Sequence, residues 1–199
     1  MPTTRTTTVE ALALFATLLA TFDALHPACD HWVQDSRSAR CKRLYGDHLV
    51  YPDGTPVEGE HRTGEPVLTA SQLGRRAAWK HVGSYSAVQL GASLAIGRAL
   101  GYRIPLPALL AGTAINGLTH AALDRGAFLQ WLADKTGKTG YLQHCTAARV
   151  GEDGTVTAEL TGPGSAWLEL DSAAHKAIGV AAAALTTWLA TRRLAGGAA

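Results

Sequence analysis

Four apolar stretches, residues 9–25, 82–100, 104–123 and 173–194, constrain this chain of 199 residues more than any other feature. Each is close to the roughly 17–25 residues that a helix needs to cross a hydrocarbon core. They are rich in Ala, Gly, Ser and Thr, and they enclose Asp23, Gln89 and Asn116. Small residues let helix backbones approach closely, and embedded polar side chains hydrogen-bond from one helix to the next. Only 17% of the residues are charged, against about 25% in an average domain, which points the same way. The pattern predicts an all-α membrane protein with a single domain over residues 1–199. It would be a four-helix transmembrane bundle with helices over about 9–34, 77–100, 104–124 and 171–194, and polar loops over 35–76 and 125–170. Within the second loop, two strand-like runs at 146–150 and 155–160 flank Gly151-Glu-Asp-Gly154, the pattern of a small β-hairpin.

Local signals punctuate these helices. Gly101 follows the second stretch, Pro105 opens the third, and Asp171 stands where the N-cap of the fourth belongs. Pro27 cannot donate to a helix ladder, so the first helix is expected to kink or restart there. Arg5 ahead of the first apolar run imitates a signal peptide, but no A-x-A site follows, and the run reads as an uncleaved membrane helix. Cys29, Cys41 and Cys145 form no CxxC pair, which argues against a disulfide framework or a Cys-rich zinc module. A net charge of +2 and the lack of a basic recognition helix argue against nucleic acid as a partner.

Polar residues gather at the helix ends. His26 and Asp30 close the first helix, with Gln34 one turn on; His81 opens the second; His120 and Asp124 close the third; Asp171 and His175 open the fourth. An up-and-down chain brings all of these ends to one side. Three of the pairs are spaced i, i+4 and so share a helix face. This is how bundles assemble metal sites from facing helices. Imidazole nitrogen and carboxylate oxygen, without thiolate, suit a divalent metal, zinc first and manganese or iron next. Seven candidate ligands exceed one tetrahedral site, so either two ions bind or some of the residues orient the others. Arg125 and Lys80 adjoin the site. His31, His48, His61 and His144 read as solvated, and Trp32, Trp79, Trp131, Trp167 and Trp188 flank the apolar stretches as interfacial anchors do.

The string Asp30-His-Trp-Val-Gln34 followed by Lys42 opens a distinctive order of motifs. It continues with Lys80-His81-Val-Gly-Ser-Tyr85, Asn116-Gly-Leu-Thr-His120-Ala-Ala-Leu-Asp124-Arg125, Gly140-Tyr-Leu-Gln-His144-Cys and Leu170-Asp171-Ser-Ala-Ala-His175. Over most of the chain outside residues 44–72, this order resembles the family of small bacterial membrane proteins catalogued as domain of unknown function 3307. Ser172 stands where that family usually shows Gln, and Pro27 is atypical of its first motif. The resemblance implies a membrane bundle with polar motifs and supplies no reaction.

Lys and Arg gather on the side of the His and Asp cluster, at Arg37, Arg40, Lys42, Arg43, Arg75, Arg76, Lys80 and Arg125, against Arg5, Arg98, Arg103, Arg192 and Arg193 opposite. Positive charge collects at the cytoplasmic face. The expectation is therefore a multi-pass protein of the bacterial inner membrane, in contact with the lipid bilayer, its metal site facing the cytoplasm. Its expected function is metal-dependent hydrolysis of a lipid-linked or phosphoester substrate, with a non-enzymatic membrane scaffold as the alternative. A transporter would need ionisable residues along a whole crossing, and only Asp23 lies deep in the first helix.

Overall fold

The computed structural model describes residues 8–59 and 61–196. Arg5 and the side chain of Arg193 lie outside the described residues. Helix α1 (Thr8–Ala28) runs directly into a π-helical turn, Cys29–Val33, and is followed by α2 (Ser36–Cys41). Strands β1 (Leu49–Val50) and β2 (Leu68–Thr69) pair antiparallel and lead into the long α3 (Ala70–Ala99). Then come α4 (Leu106–Asp124), α5 (Ala127–Lys135), α6 (Thr139–His144), β3 (Ala147–Val150), β4 (Val156–Glu159) and α7 (Ala166–Gly196). β3 and β4 form an antiparallel hairpin with Ala147 opposite Glu159 and Val150 opposite Val156.

This architecture corrects the expected four-helix transmembrane bundle. There are seven α-helices, and only two helical stretches among the described residues, Thr8–Val33 and Leu106–Asp124, are long and apolar enough to cross a membrane. Half of the Leu106–Asp124 stretch is buried inside the molecule, as in the core helix of a bundle. Helix α3 carries Arg75, Arg76 and Lys80 in its first half and is diluted by Gly, Ser and Gln in its second, and α7 carries Glu169, Asp171 and Lys176 in its first turns. Alanine and glycine lower the charged fraction because they let helices pack closely; that composition does not itself call for lipid. With the four spans fall the inner-membrane placement, the bilayer as partner and the cytoplasmic orientation. The reading as a membrane hydrolase of a lipid-linked or phosphoester substrate falls too, and so does the membrane scaffold.

The bundle is layered along its length. At one end Leu14, Leu18 and Phe22 of α1 meet Ala108 and Leu109 of α4 and Ala182, Ala183 and Ala190 of α7. Gly112 sets the approach of α4 to α7: a Cβ there would run into Thr186 Oγ1 and lie 3.1 Å from the Ala182 carbonyl oxygen. Below this apolar layer is an amide layer. Asn116 Nδ2 donates to Gln89 Oε1 at 2.6 Å and to the Tyr85 hydroxyl at 3.2 Å, and Gln89 Nε2 donates to the Phe22 carbonyl at 3.4 Å. The third layer carries the histidines.

Caps fix where the helices turn. Thr69 and Gln72 form a reciprocal capping box that starts α3, and the Asp35 carboxylate accepts from Ser38 N at 3.0 Å to start α2. At the end of α4 the chain reverses at Gly126, whose φ of +81° is the left-handed conformation that favours glycine, and its N–H donates to the Leu123 carbonyl at 2.7 Å. Helix α7 begins at Ala166, and Ser165 Oγ accepts from Leu168 N at 3.4 Å. Asp171 is therefore inside the helix rather than at the cap expected for it, and with His175 it faces the bundle interior.

Candidate metal centre

Five of the seven residues singled out in the sequence supply ligand atoms to two compact groups. His26, His120 and His175 form one triad, and Asp30, His81 and His120 form the other, with the ligand atoms of each triad within 4.8 Å of one another. The cluster is close enough to chelate a divalent metal. His120 is fully buried, His81 is 1% exposed and His175 is 5% exposed.

The local backbone explains how these side chains meet. His26 and Asp30 would sit one turn apart on an ordinary helix. Pro27 denies the ladder an N–H, and the helix widens into the π-turn Cys29–Val33. Within that arrangement His26 Nε2 comes to 3.2 Å from Asp30 Oδ2, while Asp30 Oδ1 turns to His81 Nε2 at 3.1 Å. His81 lies in the interior of α3 and His120 near the end of α4, and their Nε2 atoms are 3.0 Å apart. His120 Nε2 is 3.8 Å from Asp30 Oδ1. In a tetrahedral zinc site with bonds of 2.0–2.1 Å, ligand atoms lie about 3.3 Å apart, and the separations of 3.0, 3.1 and 3.8 Å bracket that value.

From α7, His175 stacks on His26 with ring centroids 4.6 Å apart and tilts against His120 at 4.2 Å. His175 Nδ1 lies 2.8 Å from the Asp171 carbonyl oxygen, which fixes its proton on Nδ1 and leaves Nε2 with the lone pair. Among the buried atoms without a hydrogen-bond partner are His175 Nε2 and His26 Nε2. The His26–Asp30 approach is thus at ion-pair distance without hydrogen-bond alignment. Buried polar atoms in native structures are ordinarily paired, so lone pairs that converge without pairing mark a place for a shared cation.

Asp124 and Asp171 stand outside both triads. Asp124 is fully buried and receives Lys42 Nζ on Oδ1 at 2.8 Å, while its Oδ2 lies 3.2 Å from His120 Nε2 and 3.5 Å from His81 Nε2. Asp171 has Arg43 Nη2 at 3.7 Å, and that guanidinium also lies over the Trp167 ring. The two carboxylates are held by cations from the segment after α2, inside the stretch expected to be a polar loop. Lys42 is 8% exposed, and its sequence signals are its place in the motif order and in the Lys and Arg excess on the side of the cluster. Tyr85, whose ring lies 4.2 Å from that of His120, forms a wall of the site that the sequence reading also missed.

Protonation favours ligation. Burial, followed by the neighbouring imidazoles, pushes His175 down to about 3, and burial lowers His120 as well, so both rings are neutral at pH 7. Burial opposes ionisation of Asp30, but its imidazole neighbours His26 and His81 hold the carboxyl well below the usual carboxylate range. Asp124 is likewise held low against its burial by His120, Lys42 and His81. Asp171 goes the other way: burial raises it to about 6, with Arg43 opposing. Cys29, fully buried beside Asp30, is raised to about 11 by burial and then by the Asp30 charge, so it is a thiol and not a thiolate ligand.

The other singled-out residues fall elsewhere. His31, His48, His61 and His144 are exposed. Lys80 is exposed and pairs with Asp35 at 3.1 Å. Arg125 Nη1 donates to the Lys42 carbonyl at 2.9 Å and its guanidinium lies over Tyr45, so it fastens the Lys42 segment rather than reaching into the centre. Asp23 is exposed, but it lines a cleft of ≈ 10 Å³ with Phe22, His26, Tyr85, His175 and Lys176, about the space of one water. Comparison with protein families, with curated proteins and with solved structures finds no match to this chain.

Proposed function

We propose that this chain is a zinc-binding protein whose His and Asp side chains hold the ion at one end of a helical bundle. The observation that carries this reading is the convergence of five ligand residues, four buried histidines from α1, α3, α4 and α7 and the half-buried Asp30 of the π-turn, with Nε2 of His26 and of His175 left without hydrogen-bond partners. Neutral imidazoles and a carboxylate, with the one nearby cysteine kept as a thiol, favour zinc; manganese and iron stand lower in the affinity order. The Asp171 backbone carbonyl orients the His175 ring through Nδ1, and Asp124 Oδ2 lies against His120 Nε2 on the side of the other ligands. Kinship with the family named above is proposed on the motif order alone, and its membrane placement is not carried over.

The cleft beside His26 and His175 favours a reactive ion over a purely structural one. A structural zinc is closed by four protein ligands, whereas a reactive zinc keeps a position for water. Metal analysis of the purified, untagged full chain tests the reading. Near-stoichiometric zinc in the wild type and its loss in His120→Ala are expected. Wild-type protein that takes up no divalent metal from zinc-supplemented buffer would overturn it.

A further inference from the structure

We propose that the centre holds two divalent ions bridged by the Asp30 carboxylate, a proposal that rests on the zinc-binding reading above. The five ligand residues do not form one group. They divide into two triads that share only His120. Ligand atoms around a single ion cannot lie farther apart than twice a bond length, about 4.2 Å for zinc. Among the described residues no group larger than a triad keeps its ligand atoms even within 4.8 Å of one another, so one ion cannot take all five residues.

Asp30 lies between the two. Its Oδ2 faces His26 at 3.2 Å and its Oδ1 faces His81 at 3.1 Å, so each oxygen of one carboxylate addresses a different triad. Two-ion centres hold their ions about 3.5–4 Å apart, which is the span of a bridging carboxylate. The π-turn gives Asp30 this double aim, because it sets the residue between the end of α1 and the face of α3. The first ion takes His26 and His175, with Asp30 Oδ2 3.2 Å from His26 as its bridging oxygen. The second takes His81, His120 and Asp30 Oδ1, with Asp124 Oδ2 beside both of its imidazoles.

Charge decides what else must be present. Lys42 and Arg43 offset Asp124 and Asp171, so Asp30 alone opposes the four positive charges of two ions. A buried excess of that size is unfavourable without a counter-charge. The pair therefore calls for a small anion from solvent, hydroxide first, and the cleft at His26 and His175 has room for one such group.

Metal content per chain, measured by elemental analysis during titration of untagged full-length protein with zinc, tests the pair. Two ions per chain are expected in the wild type, falling to one in His175→Ala and to one in His81→Ala. With manganese in place of zinc, electron paramagnetic resonance should show coupling between the ions, lost in Asp30→Asn. If His81→Ala does not fold, His81→Gln retains the shape and is read in the same way. One ion per chain in the wild type overturns the pair and leaves the single centre standing. No ion at all overturns both. Two ions that survive His175→Ala overturn the assignment of ligands.

Discussion

The two ends of the bundle solve burial in opposite ways. Around Phe22, Leu109 and Ala182 the interior is apolar and closely packed, and its unpartnered polar atoms are single hydroxyls such as Tyr102 and Thr113 rather than converging ligand atoms. Around His120 the bundle buries three further histidines and the carboxylates of Asp124 and Asp171, with Asp30 half-buried beside them, and several of these atoms have no hydrogen bond. Burial of apolar surface stabilises at about 25 cal/mol per Å², whereas a buried polar group without a partner costs about 1–3 kcal/mol. The apolar end therefore supplies the stability that lets the polar end exist, and the polar end is poised for a ligand. The amide layer of Gln89 and Asn116 separates the two.

Phe22→Ala should have the largest effect at the apolar end, a loss of about 3–5 kcal/mol by denaturant unfolding, with metal content per folded chain unchanged. Loss of metal in that variant would show that the two ends are not separable. At the polar end Lys42→Met leaves Asp124 buried without its cation. A cost of about 3–5 kcal/mol in the metal-free protein is expected, most of it recovered in the Lys42→Met/Asp124→Leu double variant. A Lys42→Met variant as stable as the wild type would mean that Asp124 is neutral there. Zinc at a hundredfold its dissociation constant should stabilise the chain by about 2.7 kcal/mol, a rise in Tm of roughly 5–10 °C that a chelator reverses. His120→Ala should abolish that rise.

At the polar end acid should act through His175 and Asp171 in opposite directions. His175 is lowered from 6.5 to about 3, so its contribution is complete above pH 6.5 and is lost as pH falls toward 3. Each such imidazole removes about 1.4 kcal/mol per pH unit, because the unfolded chain binds a proton that the folded chain refuses. Asp171 is raised to about 6, so between pH 6 and 3.8 it gains its proton first in the folded state and opposes the fall. Urea titrations of metal-free protein should thus be flatter in the wild type than in Asp171→Asn over that window. Equal slopes would remove the assigned role of Asp171.

How much of this was legible follows from what periodicity can carry. The i, i+4 spacings His26/Asp30, His120/Asp124 and Asp171/His175 announce shared faces, because helical geometry is local. The alternation of helix ends then announces convergence, and five of the seven residues meet in the two triads. What is not local was hidden. Lys42 and Arg43 reach Asp124 and Asp171 only because α2 and the β1–β2 pair fold the intervening segment back over the helix ends. No short-range pattern encodes that return. The membrane expectation failed because length and low charge describe a close-packed Ala-rich core helix as well as a spanning one. Gly112 against Thr186 is such packing, inside the protein.

The wide turn at Cys29–Val33 has a consequence for how this centre can be altered. An α-helix turns 100° per residue, so one surplus residue in a turn re-aims everything beyond it without lengthening the apolar face before it. Excising a single residue there, Trp32 for instance, which is 89% exposed, removes almost no buried surface. Yet it would restore ordinary helical winding and turn Gln34, whose Oε1 accepts from Lys42 Nζ at 3.5 Å, together with the Lys42 segment beyond it. The hold of Lys42 on Asp124 is thus set partly by the helical frame of that turn, and a deletion that spares every ligand reaches it.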